Sequence, residues 1–197
     1  MDCSQEMKEG LSQGLVASLN SNADEFSWFV MRDLKRANAK LPAYKMLAEL
    51  NVKVFTPMVW KLATRHGRRI RMRVPFMQDL LFVYDSRKNL DPIVERTNTL
   101  QYRYVRGGHC LPMTVRNADM EHFIRAVEST ESPYYYTPEE IVPNMLGKEV
   151  RIIGGPLNGY EGKLQKMQGS RVKRLFIELP NLLTASVEVQ PEYIQIL

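Results

Sequence analysis

The stretch Gly147–Phe176, GKEVRIIGGPLNGYEGKLQKMQGSRVKRLF, decides the fold of the C-terminal part of the chain. The β-branched residues of Val150–Ile153 predict a strand, which Gly154-Gly155-Pro156 ends. Asn158-Gly159 and Glu161-Gly162 then supply glycines for the positive φ angles of a tight return. The stretch therefore predicts strands joined by turns.

Residues 26–128 alternate predicted strands with predicted helices. The strands are Trp28–Met31, Val52–Met58, Leu80–Tyr84 and Tyr102–Val105, and the helices are Asn38–Leu50, Asn89–Arg96 and Asn117–Glu128. In the first helix we expect Asn38 as the cap, Pro42 in the first turn, and Tyr44, Leu47 and Ala48 facing inward. The third helix is expected to bury Met120, Phe123, Ile124 and Val127. Leu80–Tyr84 is apolar throughout, which is typical of a strand covered on both faces.

The charge of the chain is concentrated in its middle. The net charge is +5, but residues 28–128 carry nineteen Lys and Arg against nine Asp and Glu, whereas both flanking segments are net negative. The densest basic run has no acid within it and consists of Lys61, Arg65, Arg68, Arg69, Arg71 and Arg73. Trp60–Leu62 and Ile70–Val74 flank its centre, which predicts a long hairpin with an arginine-rich tip. Such a surface would attract a polyanion.

No segment of the sequence predicts export or a membrane span. The N-terminus lacks a basic region followed by an apolar run, and no later run approaches the roughly 18 to 20 apolar residues of a membrane helix. Cys3 and Cys110 are too few for a disulfide-dependent secreted scaffold, so we expect free thiols. These features favour a cytoplasmic protein that does not act at a membrane.

Gly147–Phe176 resembles a KOW motif, and other segments resemble the NusG family of transcription elongation factors. Trp28-Phe29-Val30 is similar to the opening of the NusG N-terminal domain, and Val54–Met58 to its E-V-F-x-P strand. Tyr102–Gly108, followed by Leu111-Pro112-Met113, resembles the family's F-V-x-x-G…P-x-P segment. The order and spacing of these motifs agree with those of the family, and the resemblance covers residues 27–197.

The resemblance implies an α+β fold in two domains. An α/β sandwich with a mainly antiparallel sheet flanked by helices is expected at residues 26–128, and a small SH3-like β-barrel, the KOW domain, at 144–197. Pro133, Pro138 and Pro143 surround Tyr134–Tyr136 and predict an extended linker at 129–143. Residues 1–25 are expected to form a disordered or frayed tail.

Within the family, the chain looks more like the specialised paralogues of the RfaH and UpxY types, which act as antiterminators, the latter on capsule operons. Pro112–Val115, Met120–Ile124 and Tyr135–Ile141 suggest the UpxY type. The chain departs from the family at Gln78-Asp79-Leu80, where a Pro-Gly-Tyr is usual before the central strand. The local turn and the aromatic side chain that it presents are therefore in question.

The resemblance implies a factor without catalytic activity that docks on the clamp helices of RNA polymerase and suppresses pausing or termination. By motif position, Phe29, Phe55, Phe76 and Met77 would bind the polymerase, with core packing as the alternative interpretation. The basic run listed above would lie towards nucleic acid, with a solvated hairpin as its alternative. The residues expected to face non-template DNA or nascent RNA also include Arg87, Lys88, Asn89 and Arg96.

The family uses loops of its KOW domain to recruit a ribosomal protein or a termination factor. The corresponding loop here, Leu179–Leu183, offers Leu182 and Leu183 instead of an aromatic residue. Tyr160 is a second candidate that we expect to be exposed. Packing of the leucines and a structural role for Tyr160 are the alternatives.

No arrangement of residues predicts catalysis. His66, His109 and His122 lack metal-ligand spacing, and Gly154-Gly155-Pro156 does not open a helix as a phosphate loop would. We therefore expect no enzyme activity, no cofactor and no metal. A ribosome-associated or RNA-binding KOW protein is the main alternative, although its barrel would usually be basic. A pure protein adaptor would have no use for the central charge and would tolerate replacement of Arg68, Arg69 and Arg71 by Glu.

Overall fold

The strand at Leu81–Asp85 lies inside an antiparallel sheet, as its apolar sequence predicts. The computed structural model of the protein describes residues 24–35, 40–65, 67–107, 110–167 and 169–197. The described residues form a mixed α+β structure in two compact units. The first comprises the described parts of Met1–Thr56 and Met77–Asn117, and the second comprises Pro57–Phe76 and Ala118–Leu197. The predicted domain bounds differ from this division and stay predictions, and most of the predicted tail lies outside the described residues.

The first unit is built on a five-stranded antiparallel sheet. Its strands are β1 (Ser27–Asp33), β2 (Lys53–Phe55), β5 (Leu81–Asp85), β6 (Leu100–Tyr102) and β7 (Thr114–Val115), and its helices are α1 (Ala43–Glu49) and α2 (Arg87–Arg96). The strand order is β2-β5-β1-β6, and β7 also pairs with β1. Phe29 and Met31 of β1 face Val83 and Leu81 of β5 in the register. These four side chains pack with Leu47 of α1 and Leu90 of α2 into one buried cluster, so helices cover this face of the sheet.

Helix α1 begins five residues later than the sequence predicts. Its N-cap is Pro42, whose backbone is extended, and Asp33 Oδ2 accepts a hydrogen bond of 2.6 Å from the Ala43 amide. The residue before a proline avoids the helical region, which explains the late start. Leu47 is buried as predicted, but Ala48 is exposed and Tyr44 only half-buried. Asn38, the predicted cap, lies outside the described residues.

Other parts of the first unit also differ from the sequence-based expectations. The predicted strand Val52–Met58 is two strands, because Pro57 has no amide hydrogen to continue the ladder. Helix α2 begins at Arg87, before the predicted Asn89. Cys110 is disulfide-bonded, so the expectation of a free thiol is wrong there; Cys3 lies outside the described residues.

The second unit contains a two-stranded ribbon, a helix and a six-stranded antiparallel sheet. The ribbon consists of β3 (Met58–Arg65) and β4 (Arg68–Pro75), and the helix is α3 (Asn117–Glu128), whose first residue belongs to the first unit. The sheet has the order β13-β9-β10-β11-β12-β8. Its strands are β8 (Tyr134–Tyr136), β9 (Leu146–Ile152), β10 (Glu161–Gln165), β11 (Lys173–Leu179), β12 (Leu183–Val189) and β13 (Ile194–Ile196). Closure of this sheet into an SH3-like barrel stays a prediction.

Three features of the second unit differ from the expectations from the sequence. Gly159 has the predicted positive φ of 85°, but Gly162 lies within β10, where a Cβ atom would come within 2.6 Å of the Phe176 carbonyl oxygen. That glycine therefore permits close strand packing and makes no turn. Tyr134–Tyr136 was predicted to be part of a linker and instead pairs with Thr184–Ser186 as an edge strand. Helix α3 has the predicted bounds, with Ala126 buried and Ile124 only half-buried.

Candidate nucleic-acid interface

The predicted basic hairpin is a regular two-stranded ribbon. Its register runs from Met58 opposite Pro75 to Arg65 opposite Arg68, which leaves two residues for the turn. Gly67 has a φ of 74°, as the turns that suit the twist of such a ribbon require. The sequence from Pro57 to Phe76 contains no Asp or Glu. The ribbon therefore carries only positive charge.

The register divides the basic residues between two faces, because neighbouring residues of a strand point to opposite sides. We call one side the Trp60 face; it carries Trp60, Leu62, Thr64, Arg69, Arg71 and Arg73. We call the other the Lys61 face; it carries Lys61, Ala63, Arg68, Ile70 and Met72. The backbone of Arg65 pairs opposite Arg68, and its side chain and His66 lie outside the described part. The six residues predicted as one cluster are thus not on one surface.

The Trp60 face presents an aromatic ring against two guanidinium groups. The Cζ atom of Arg71 lies 4.5 Å from the centre of the Trp60 ring, and that of Arg73 lies 5.8 Å from it. Both distances fit cation–π contacts. Trp60 is 41% exposed and its neighbour Leu62 is 74% exposed, so large apolar side chains accompany the arginines at the surface.

The segment that precedes β8 holds the base of the ribbon. Trp60 Nε1 donates a hydrogen bond of 3.3 Å to the Glu131 carbonyl, and Arg71 Nη2 donates one of 3.4 Å to Ser132 Oγ. The rings of Tyr135 and Phe76 lie 5.5 Å apart. Burial raises the pKa of the Tyr135 hydroxyl, while the charge of Arg73 and a hydrogen bond with the Met58 backbone oppose this. The ribbon is thus anchored at its base by Glu131–Tyr135.

Of the four predicted polymerase-binding residues, one is a core residue. Phe29 is only 4% exposed and meets the Tyr102 ring edge-on at 5.6 Å, which favours the core interpretation for it. Phe55 is half-buried and lies 6.2 Å from the Phe82 ring, both in the first unit. Met77 of the first unit and Phe76 of the second are half-buried as well.

The turn Gln78-Asp79-Leu80 is held by ion pairs and hydrogen bonds. The Asp79 carboxylate lies 3.1 Å from Arg103 Nη2 and 3.6 Å from Arg32 Nη2. Arg103 also donates a hydrogen bond of 3.1 Å to the Asp79 backbone carbonyl. Two arginines therefore fix this turn, and its third residue, Leu80, is buried and presents no side chain at the surface.

Three of the four residues on α2 that the resemblance places towards non-template DNA or nascent RNA already have partners. Arg87 pairs with Asp91 at 3.1 Å, and Asn89 Nδ2 donates a hydrogen bond of 2.7 Å to Asp85 Oδ1. Lys88 Nζ lies 3.1 Å from Asp24, and Arg96 is exposed. Asp91 also accepts a hydrogen bond of 2.8 Å from the Tyr102 hydroxyl; burial and this bond raise the pKa of Tyr102. Arg87 and Asn89 therefore stabilise the first unit, and using them for nucleic acid would break these bonds.

The three residues predicted to bind a partner of a KOW domain, Tyr160, Leu182 and Leu183, are mostly covered in the structure. They lie in or beside the six-stranded sheet of the second unit, which we call the KOW-like sheet after the sequence resemblance. Tyr160 is 3% exposed, so the expectation of an exposed side chain is wrong. Its hydroxyl donates a hydrogen bond of 3.0 Å to the His122 carbonyl of α3, and its ring stacks on the imidazole at 3.7 Å. Leu183 is 1% exposed, whereas Leu182 is half-buried. Leu182 is thus the most accessible of the three.

The contact of the segment Glu131–Tyr135 with the ribbon was not predicted from the sequence. Three consecutive tyrosines have high strand propensity, which was the available signal, but the surrounding prolines favoured a linker. The described residues contain no group of three or more His, Cys, Asp or Glu placed to hold a metal ion. In the same residues, no helix has both the length and the apolar character needed to cross a membrane.

Comparison with known proteins finds similarity to solved structures. No family model matches the sequence, and no curated protein matches it. A solved structure described as "Domain interaction in Thermotoga maritima NusG" is similar with a TM-score of 0.47 and 16% sequence identity. The similarity covers 88% of this chain and 98% of that chain.

Proposed function

We propose that this chain is a transcription elongation or antitermination factor of the NusG type, without catalytic activity. It binds RNA polymerase at the clamp helices and contacts nucleic acid through the basic ribbon. The ribbon is the observation that carries the proposal. Its described basic side chains, Lys61, Arg68, Arg69, Arg71 and Arg73, are all exposed, and no acid accompanies them.

An exposed ribbon with this charge suits a position beside a phosphate backbone. Each phosphate contact releases counterions, so the affinity falls steeply as the salt concentration rises. Anchoring at its base gives the ribbon a fixed orientation, and a binding element that is ordered in advance loses less entropy when it binds. The contacts of Trp60 and Arg71 with Glu131 and Ser132 supply such anchoring.

For the polymerase contact, the proposal relies on Phe55 and Met77 of the first unit. Both are half-buried, so each can lose further apolar surface on binding, whereas Phe29 supports the sheet from the core. A factor that binds the closed clamp more tightly than the open clamp shifts the polymerase towards the closed state without chemistry. Suppression of pausing follows from that difference in affinity.

The KOW-like sheet is assigned to a further protein partner. Leu182 is the accessible member of the predicted set, and a ribosomal protein or a termination factor is the class of partner that the family resemblance implies. Residues 129–197 carry a net charge of −1, so this part has no excess of cations for RNA. The same charge weakens the alternative of an RNA-binding KOW protein.

Crosslinking tests the proposal. A photoreactive amino acid is placed at Phe55, Met77 or, as a control, the exposed Ala48, and the full-length protein is mixed with core RNA polymerase. We expect crosslinks to the clamp helices from Phe55 and Met77 and none from Ala48. Absence of polymerase crosslinks, together with RNA binding by the full-length protein, would support the RNA-binding alternative instead.

A further inference from the structure

The two faces of the ribbon differ in chemistry as well as in position. The Trp60 face combines a tryptophan and a leucine with three arginines, whereas the Lys61 face has an alanine, an isoleucine and a methionine between its cations. Among the described side chains of β3 and β4, those of the Trp60 face alone therefore include an aromatic ring. Both faces can attract phosphates, but only one can stack on bases.

The stacking surface on the Trp60 face is organised before any ligand arrives. The Trp60 ring is fixed by its hydrogen bond to the Glu131 carbonyl, and Arg71 is held between that ring and Ser132 Oγ. The planar guanidinium of Arg71 lies over one face of the Trp60 ring, and a base can stack on the guanidinium in turn, since arginine stacks on flat π systems. A ligand that stacks here does not first have to order these side chains.

Bases are available for such stacking only where they are unpaired. In a duplex the base faces are stacked on each other, and a protein reaches the backbone and the groove edges alone. Proteins that bind single strands combine cations along the backbone with aromatic rings on which bases stack, largely without regard to sequence. The Trp60 face has both parts: Trp60 with Arg71 for bases, and Arg69 and Arg73 for phosphates.

We propose that the Trp60 face binds single-stranded nucleic acid, with an unpaired base on the Trp60–Arg71 pair, and that the Lys61 face contributes little. This inference rests on the proposed function and specifies the ligand of its ribbon. It also predicts that Arg69 contributes more to binding than Arg68. The two residues are adjacent in sequence and both exposed, but they lie on opposite faces. These two arginines form a matched pair for a test.

Binding of a fluorescent oligothymidine to the full-length protein tests the inference at low salt, with a duplex of equal length for comparison. We expect Arg69→Glu to weaken oligothymidine binding at least tenfold, and Arg68→Glu to weaken it no more than about threefold through long-range charge. Trp60→Leu should cost about tenfold through lost stacking. The intrinsic emission of Trp60 should be quenched on binding, since Trp28 is only 1% exposed and cannot report contact.

Three results would overturn the inference. Equal losses for Arg68→Glu and Arg69→Glu would mean that the ligand does not distinguish the faces. Tighter binding of the duplex, without a change in Trp60 emission, would assign the ribbon to backbone contacts alone. Absence of any nucleic-acid binding, with polymerase crosslinks retained, would remove this inference and leave the polymerase-binding part of the proposed function standing. Thermal unfolding of each variant checks that it is folded, and Arg69→Ala serves if Arg69→Glu is not.

Discussion

At the scale of single residues, the pair His122 and Tyr160 gives the chain a pH-dependent contact. The Tyr160 ring lies parallel to the imidazole within 14°. Burial lowers the pKa of His122, the nearby charge of Arg125 lowers it further, and Asp119 opposes this. The unfolded chain therefore binds the His122 proton more readily than the folded one. The stabilisation that depends on neutral His122 is therefore fully present above the ordinary histidine pKa of about 6.5. It is lost as the pH falls from that value towards the lower pKa that His122 has in the folded protein.

We predict that replacing His122 by Gln makes the stability of the protein less dependent on pH between about 7.5 and 5.5. Urea unfolding at these two pH values measures the change in the free energy of unfolding. The carboxylates contribute equally to this change in the wild type and in the variant. Tyr160→Phe is the control, because it removes the hydrogen bond to the His122 carbonyl and costs about 1 kcal/mol at either pH. An equal loss of stability on acidification in the wild type and in His122→Gln would contradict the assignment.

Two single residues show that the burial of an aromatic side chain could not be predicted from the sequence. Phe29 and Tyr160 are aromatic residues in motifs that a partner could use, and both are buried in the structure. The sequence contains no signal for this, because burial of an aromatic side chain depends on which elements pack over it. Tyr160 is covered by His122, which is 38 residues away along the chain.

At the scale of elements, Arg174 explains how a three-residue strand is held on the sheet. Arg174 is 4% exposed, and its Nη1 donates a hydrogen bond of 3.0 Å to the Ser186 carbonyl of β12. The same side chain reaches the Ser132 carbonyl at 3.4 Å and lies 4.0 Å from the centre of the Tyr134 ring. It also pairs with Glu188. One buried cation therefore joins β11, β12 and the start of β8.

We predict that Arg174→Met destabilises the protein by about 2 to 4 kcal/mol, because it leaves the two carbonyl oxygens without their charged donor. Glu188→Gln is the matched control; since that side chain is half exposed, its charge should contribute less than about 1 kcal/mol. Urea unfolding gives both values, and hydrogen exchange should quicken at Tyr134–Tyr136 in Arg174→Met alone. Equal losses in the two variants would show that the ion pair, and not the buried donor, matters.

The elements that could be predicted from the sequence are those whose apolar residues recur with the spacing of a helix or a strand. Asn117–Glu128 has a helical apolar pattern over three turns, and the helix has those bounds. Tyr134–Tyr136 is too short to show a period, and it becomes a strand only because Thr184–Ser186 lies beside it. The division of the ribbon into two faces follows from alternation once the turn is known, whereas the anchoring of Trp60 on Glu131 depends on tertiary structure.

At the scale of the whole molecule, the two compact units are not two successive halves of the sequence. The ribbon from Pro57 to Phe76 groups with Ala118–Leu197, although it lies between segments of the first unit. Local unfolding usually follows such packed units more closely than the order of the chain. The ribbon should therefore open together with β8 and β12, and not with β1 and β5.

Two core substitutions, one in each unit, test this grouping by hydrogen exchange of the full-length protein. Tyr135→Ala removes a buried ring that packs against Phe76, at a cost of about 3 to 5 kcal/mol, and Leu47→Ala costs about 2 to 5 kcal/mol in the first unit. We expect Tyr135→Ala to speed exchange in β3, β4 and β12, and Leu47→Ala to speed it in β1 and β5. If exchange in the ribbon instead follows Leu47→Ala, then the ribbon folds with the first unit, and its contacts with Glu131–Tyr135 are too weak to orient a nucleic-acid-binding face.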